Sequence, residues 1–91
     1  MSEPGALRLT VHGQVQGVFY RDWTVQAARD LGLAGWVRNE SDGTVTAHLQ
    51  GDGAAIRGMV ERLHQGPPAA RVERIDSAAV APEKLAGFER R

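Results

Sequence analysis

His12-Gly13-Gln14-Val15-Gln16-Gly17-Val18-Phe19-Tyr20-Arg21-Asp22-Trp23 is the stretch whose reading decides how this 91-residue chain folds. On its N-terminal side Leu7, Leu9 and Val11 alternate with Arg8, Thr10 and His12, the period of two that marks a half-buried strand. On its C-terminal side the apolar spacing becomes helical. Gly13 and Gly17 bracket the turn, so the backbone can enter the positive-φ region and gather its N–H groups into an anion nest. Arg21 falls in the first turn of the expected helix, where a guanidinium, the positive helix end and the loop amides can face one phosphate-sized dianion. An ordinary connecting turn with a solvated arginine has the same spacing, and short glycine motifs have many false matches. Val18-Phe19-Tyr20 favours a built site, because three bulky residues on a tight loop predict an anchor that ties the amides to the core.

The strand covers about Ala6 to Gly13, after a loose leader at residues 1–5. The helix is expected from about Asp22 to Leu31, with Thr24, Ala27, Ala28 and Leu31 facing inward and Gly32 ending it. From Leu33 to Gly51 the pattern is that of two strands joined at Asp42-Gly43, a hairpin signal. Val45, Ala47 and Leu49 share a core face there, and Thr44, Thr46, His48 and Gln50 share a face expected to be wet. Asp52 is placed to cap a second helix whose stripe is Ile56, Met59, Val60 and Leu63, stopped by Gly66-Pro67-Pro68. A last strand is expected from about Ala70 to Val80. Val72 and Ile75 are three apart, which predicts a bulge. In the tail, residues 82–91, Phe88 can close a short edge strand.

The order strand, helix, strand, strand, helix, strand, with two one-sided helices, predicts an α+β fold. Its form is the ferredoxin-like split βαβ sandwich, an antiparallel four- to five-stranded sheet with both helices on one face, as a single domain over residues 1–91. That scaffold serves many functions and does not choose one.

Composition narrows the classes. A chain of this size buries somewhat more than about 60% of its unfolded surface, enough for a modest core. It has no cysteine, which excludes disulfides and thiolate metal sites. It lacks both a signal-like start and an apolar run long enough to span a membrane, so a cytoplasmic location is expected. The formal net charge is zero, so no broad positive field recruits nucleic acid or anionic lipid, although Arg8, Arg21 and Arg38 can form a local basic patch. Five aromatic residues are few for a stacking platform. His12, His48 and His64 match no zinc spacing and read as surface or strand-end residues. Asp22 is explained by the helix dipole, and Trp36 by packing under the hairpin.

Asn39 ends the run Gly35-Trp36-Val37-Arg38-Asn39 at the tip of a strand. By itself it is sufficiently explained as the residue that begins the turn into Ser41-Asp42-Gly43. Together, however, Gly13-Gln14-Val15-Gln16-Gly17-Val18-Phe19-Tyr20-Arg21, Gly32-Leu33-Ala34-Gly35-Trp36-Val37-Arg38-Asn39 and Asp42-Gly43-Thr44-Val45 resemble the acylphosphatase family in order and spacing. The resemblance implies a ferredoxin-like fold and the hydrolysis of acyl phosphates to a carboxylate and phosphate. It places the family's phosphate-binding arginine on Arg21 and its water-positioning asparagine on Asn39. The loop Gln14, Val15, Gln16, Gly17, Val18, Phe19 and Tyr20 takes the place of the family's amide cradle.

The chemistry suits so small a set of groups. Phosphoryl transfer is mostly positioning and charge stabilisation, and an acyl phosphate already carries a good leaving group. No cofactor or metal is called for. The expected partner is a small acyl phosphate, with no nucleic acid, no membrane and a monomeric state. Two other classes share parts of this pattern. An RNA-recognition domain has the same layers but stacks bases on aromatics of its open face, and an anion-binding adaptor uses the same Arg21 without turnover.

Overall fold

The structure, a computed structural model, describes residues 4–91 in the order β1 (Pro4–Gln14), α1 (Tyr20–Asp30), β2 (Ala34–Asn39), β3 (Val45–Asp52), α2 (Gly53–Gln65), β4 (Arg71–Ala79) and β5 (Phe88–Arg90). Of the expected leader, residues 1–3 lie outside the described residues. Pro4 and Gly5 are not leader but the start of β1, opposite Asp52 and Gly51.

The five strands form one sheet in the order β4-β1-β3-β2-β5. The alternation in β1 and β3 puts Leu9, Val11, Val45, Ala47 and Leu49 on one face, all fully buried. Ala27 and Ala28 of α1 and Ile56, Met59 and Leu63 of α2 complete that core, which also takes in Val37 and Phe88. Asp52 caps α2 as its position predicts, its carboxylate accepting from the N–H groups of Ala54 at 3.1 Å and Ala55 at 3.4 Å. In α1 the inward stripe is Tyr20, Thr24, Ala27 and Ala28, with Leu31 only partly covered at the helix end. The Thr24 hydroxyl donates to the Tyr20 carbonyl at 2.7 Å, which satisfies a buried polar group within the helix. The irregularity predicted for β4 occurs where its register against β1 shifts between His12 and Gly13. There a Cβ on Gly13 would collide with the Arg71 carbonyl, so only glycine admits so close an approach.

Three expectations change. The sheet is mixed rather than antiparallel, because β5 runs parallel to β2, pairing Phe88 with Gly35 and Arg90 with Val37. Chain reach explains this. From the β4 edge to the β5 edge is about 19 Å across four strand spacings, whereas residues 80–87 extend at most about 28 Å. They can cross the sheet but cannot also run its length, so β5 starts at the end where β4 stopped.

The second change follows from that crossing. The face of β3 expected to be wet is covered, with Thr44, Thr46 and His48 all buried. Gln50 and Glu83 exchange two hydrogen bonds, Gln50 Nε2 to the Glu83 carbonyl and the Glu83 N–H to Gln50 Oε1, each 2.8 Å. The Glu83 carboxylate accepts from the Trp36 indole N–H at 3.1 Å and from Arg8 at 3.0 Å. Beneath them His48 stacks on Trp36, ring centroids 5.8 Å apart. Trp36 is thus buried against His48, and the guanidinium groups of Arg8, Arg38 and Arg91 lie 4.7 to 5.0 Å from its ring centroid. His48 is a core residue of this second, polar layer rather than a surface one.

The third change is the start of α1, at Tyr20 instead of Asp22. Its N-cap, Phe19, offers no side-chain acceptor and takes a left-handed conformation, φ 63°.

The crossing segment has a pH signature. The Glu83 carboxyl is held below its ordinary value, first by the Trp36 N–H bond and then by the nearby positive charges, which together outweigh its partial desolvation. A carboxyl depressed in the folded state stabilises above its unfolded pKa and loses that contribution as pH falls through the folded value. Glu83→Gln is therefore expected to lower the melting temperature at neutral pH. Circular dichroism melts should show the gap to the parent closing below about pH 4, and a gap that stays constant with pH would contradict the assignment.

Candidate active site

The loop between β1 and α1 is fixed from two sides. Val15 and Tyr20 are each 1% exposed, and the Tyr20 hydroxyl donates to the Leu63 carbonyl at 2.7 Å, tying the start of α1 to the last turn of α2. Burial pushes the Tyr20 phenol well above its ordinary range, so it stays a donor. Tyr20→Phe leaves that carbonyl without its partner and is expected to cost about 1–2 kcal/mol of stability, read from the urea midpoint. The expected anchor Val18-Phe19-Tyr20 does not act as a unit. Tyr20 is buried, Val18 is partly buried and Phe19 stands 79% exposed, its place as an anchor taken by Val15.

Gln16 makes the second attachment. Its Nε2 donates to the carbonyls of Glu40 at 2.7 Å and Thr44 at 2.8 Å, so the loop is stapled to the β2–β3 hairpin that carries Asn39. With Gly17 at φ 74° and Phe19 at φ 63°, the backbone twice enters the left-handed region before α1 begins. Among the described residues, the N–H groups from Gln16 to Asp22 have no backbone partner. The first helical bond runs from the Trp23 N–H to the Phe19 carbonyl at 3.0 Å. A run of unpaired amides at a helix N-terminus is suited to an anion.

These amides border a cleft of about 230 Å³ lined by Val15, Gly17, Phe19, Tyr20, Arg21, Asp22, Asn39 and Arg90. Arg21 and Asn39, eighteen positions apart in sequence, thus share one hollow. Gln14, Gln16 and Val18 do not line it. Gln14 ends β1 with an exposed side chain opposite Arg71, and Gln16 is turned to the hairpin. Arg21 Nη1 donates to the main-chain oxygen of Arg91 at 3.0 Å, and among the described residues no Asp or Glu side chain pairs with it. Asn39 closes β2 opposite Val45. Its Oδ1 is buried with no hydrogen-bond partner, alone in that respect among the described side chains. A buried acceptor without a partner is costly and marks a place where a donor belongs.

Two contributors were not legible in the sequence. Arg90 lines the cleft and pairs with Asp22 at 2.8 Å, so Asp22 borders the site rather than serving only the helix dipole. Arg91 supplies the acceptor for Arg21 and is itself held by its N–H bond to the Val37 carbonyl at 2.8 Å. Both depend on β5, whose only sequence signal is Phe88. His12 lies apart from the cleft, bonded to Asp76 at 2.9 Å. Among the described residues no group of three or more His, Cys, Asp or Glu is placed to hold a metal ion, and no helix is long and apolar enough to cross a membrane.

The chain matches the acylphosphatase family model over residues 7–90. It is 49% identical over 83 residues to an acylphosphatase of Acidovorax sp. (strain JS42), covering 91% of this chain and 86% of that one. Among solved structures it superposes on an acylphosphatase from Coxiella burnetii with a TM-score of 0.93 at 35% identity, covering 97% of this chain and 93% of that one. For acylphosphatase from Bacillus subtilis the TM-score is 0.90 at 32% identity, with 96% and 97% covered. Similarity of this extent shows that the chain belongs to the acylphosphatase family, enzymes that hydrolyse acyl phosphates.

Proposed function

We propose that the phosphate group of the acyl phosphate sits on the unpaired amides between Gln16 and Asp22, at the end of the Gln14–Tyr20 stretch and the start of α1, gripped by the Arg21 guanidinium, with the attacking water held by Asn39. The observation that carries this reading is the partnerless Asn39 Oδ1, buried in the same cleft as an arginine that pairs with no Asp or Glu side chain. That oxygen accepts a hydrogen bond from water and aims a lone pair at phosphorus without first removing a proton. Attack forms the new P–O bond on the water side and breaks the P–O bond to the acyl carboxylate on the opposite side. The water proton passes to a phosphoryl oxygen. Arg21 can bind two phosphoryl oxygens in a fork and follow their charge through the transition state.

The carboxylate leaves without protonation, so the reaction needs no general acid, and on this reading it needs no metal or cofactor. A cleft formed within one chain fits a monomer acting on a small substrate. The sheet face an RNA-recognition domain would use for bases is occupied here by residues 80–87. The test is hydrolysis of acetyl phosphate by the purified protein in excess EDTA. Turnover unchanged by the chelator is expected. A rate that EDTA abolishes and a divalent cation restores would overturn the metal-free mechanism.

A further inference from the structure

Phe19 is the single large apolar side chain exposed among the described residues. An isolated exposed aromatic is ordinary, but this one also occupies a backbone conformation, φ 63° and ψ 21°, that is unfavourable for a bulky side chain. The loop needs that φ to present its amides. It does not need the ring, because glycine or asparagine takes the same conformation with less strain. Nor does the ring serve the core, which Val15 and Tyr20 reach from either side. Exposure and strain therefore fall on one residue, and that residue lines the cleft containing Arg21 and Asn39.

The direction of the reaction supplies a use for it. With water on the Asn39 side, in-line displacement sends the acyl carboxylate off the opposite side of phosphorus, away from Asn39. We propose that the Phe19 ring is the contact for the acyl group, packing against its carbon skeleton and favouring substrates with aromatic or longer acyl chains over acetyl phosphate. The proposal rests on the site reading above and deepens it, since it assigns a substrate preference to the leaving-group side of the cleft. Flat apolar contact on an already strained, preorganised residue adds selectivity with little loss of side-chain freedom.

The experiment compares kcat/KM for benzoyl phosphate and acetyl phosphate in the parent, Phe19→Gly, Phe19→Asn and Phe19→Tyr. In the glycine and asparagine variants, both compatible with the left-handed backbone, the benzoyl-to-acetyl ratio is expected to fall about tenfold, equivalent to about 1.4 kcal/mol. Phe19→Tyr keeps the ring and should keep the ratio. Inhibition by inorganic phosphate is measured alongside, with Arg21→Ala as the reference. If both substrates lose activity in equal proportion and the ratio is unchanged, Phe19 serves only the loop backbone and the proposal fails. If Arg21→Ala leaves phosphate inhibition unchanged, the placement of the phosphate is wrong and the acyl contact falls with it.

Discussion

Arg21→Ala should lower kcat/KM for acetyl phosphate by about 10³- to 10⁵-fold, the range spanned by arginines that stabilise charge in phosphoryl transfer. Its hydrogen bond to the Arg91 backbone fixes one corner of the guanidinium and leaves the rest of the fork free for phosphate. In the proposed role, loss of the side chain removes both a binding contact and the charge that follows the phosphoryl oxygens. Inhibition by inorganic phosphate should therefore weaken as well. Arg21→Lys should recover binding more than rate, because an ammonium restores a point charge without the planar fork. Stability should change by no more than about 1 kcal/mol, since the residue is half-exposed and its one partner within the chain is a single backbone oxygen. Initial rates, phosphate inhibition and thermal melts on the same preparations separate these terms. A loss below about tenfold would remove Arg21 from the role proposed for it.

Asn39→Ala should behave differently on two of those three measurements. The rate is expected to fall about 10²- to 10³-fold, as for removal of one preorganised polar contact in a transition state, while inhibition by inorganic phosphate stays unchanged. Stability should hold or rise. Asn39 Oδ1 gives up no hydrogen bond when it is removed, because it has none within the chain, and deleting a buried acceptor without a partner relieves its desolvation cost. A more stable protein with less activity is the mark of a residue kept for chemistry at the expense of packing. If the variant were destabilised by several kcal/mol with a proportionate loss of folded protein, Asn39 would be a structural turn residue instead.

How much of this was legible beforehand differs between the layers. The two helices, the four main strands and the hairpin at Asp42-Gly43 came from periodicity and turn chemistry, which are local and survive without a partner strand. The parallel placement of β5 and the burial of His48 did not, because both follow from residues 80–87 crossing a face. The Gln50–Glu83 pair joins positions far apart in sequence, with no local pattern to announce it. The start of α1 was missed for a chemical reason. A capping serine or aspartate would have marked it, whereas the chain begins the helix from a left-handed phenylalanine that no capping rule anticipates.

The site divides in the same way. Spacing alone suggested that Arg21 faces an anion nest, but it left Asn39 as a turn residue until the family resemblance joined the two. Arg90 and Arg91 were unread because their position depends on β5, a strand of three residues. Sequence reads Gln16 as one more loop residue, and its stapling of the loop to the hairpin appears only once the hairpin is in place.

The strand order also sets the timetable by which this molecule comes into being. β1 emerges first during synthesis yet ends in the interior of the sheet, where Leu7 waits for Leu49 on one side and for Ala79 on the other. All of its pairing is with distant sequence, which raises the contact order and slows folding relative to a helical protein of the same size. The last strand to emerge, β5, brings the residue whose backbone oxygen steadies Arg21. The contact that braces Arg21 therefore joins residues 70 positions apart and can form only after the whole sheet between them is in place.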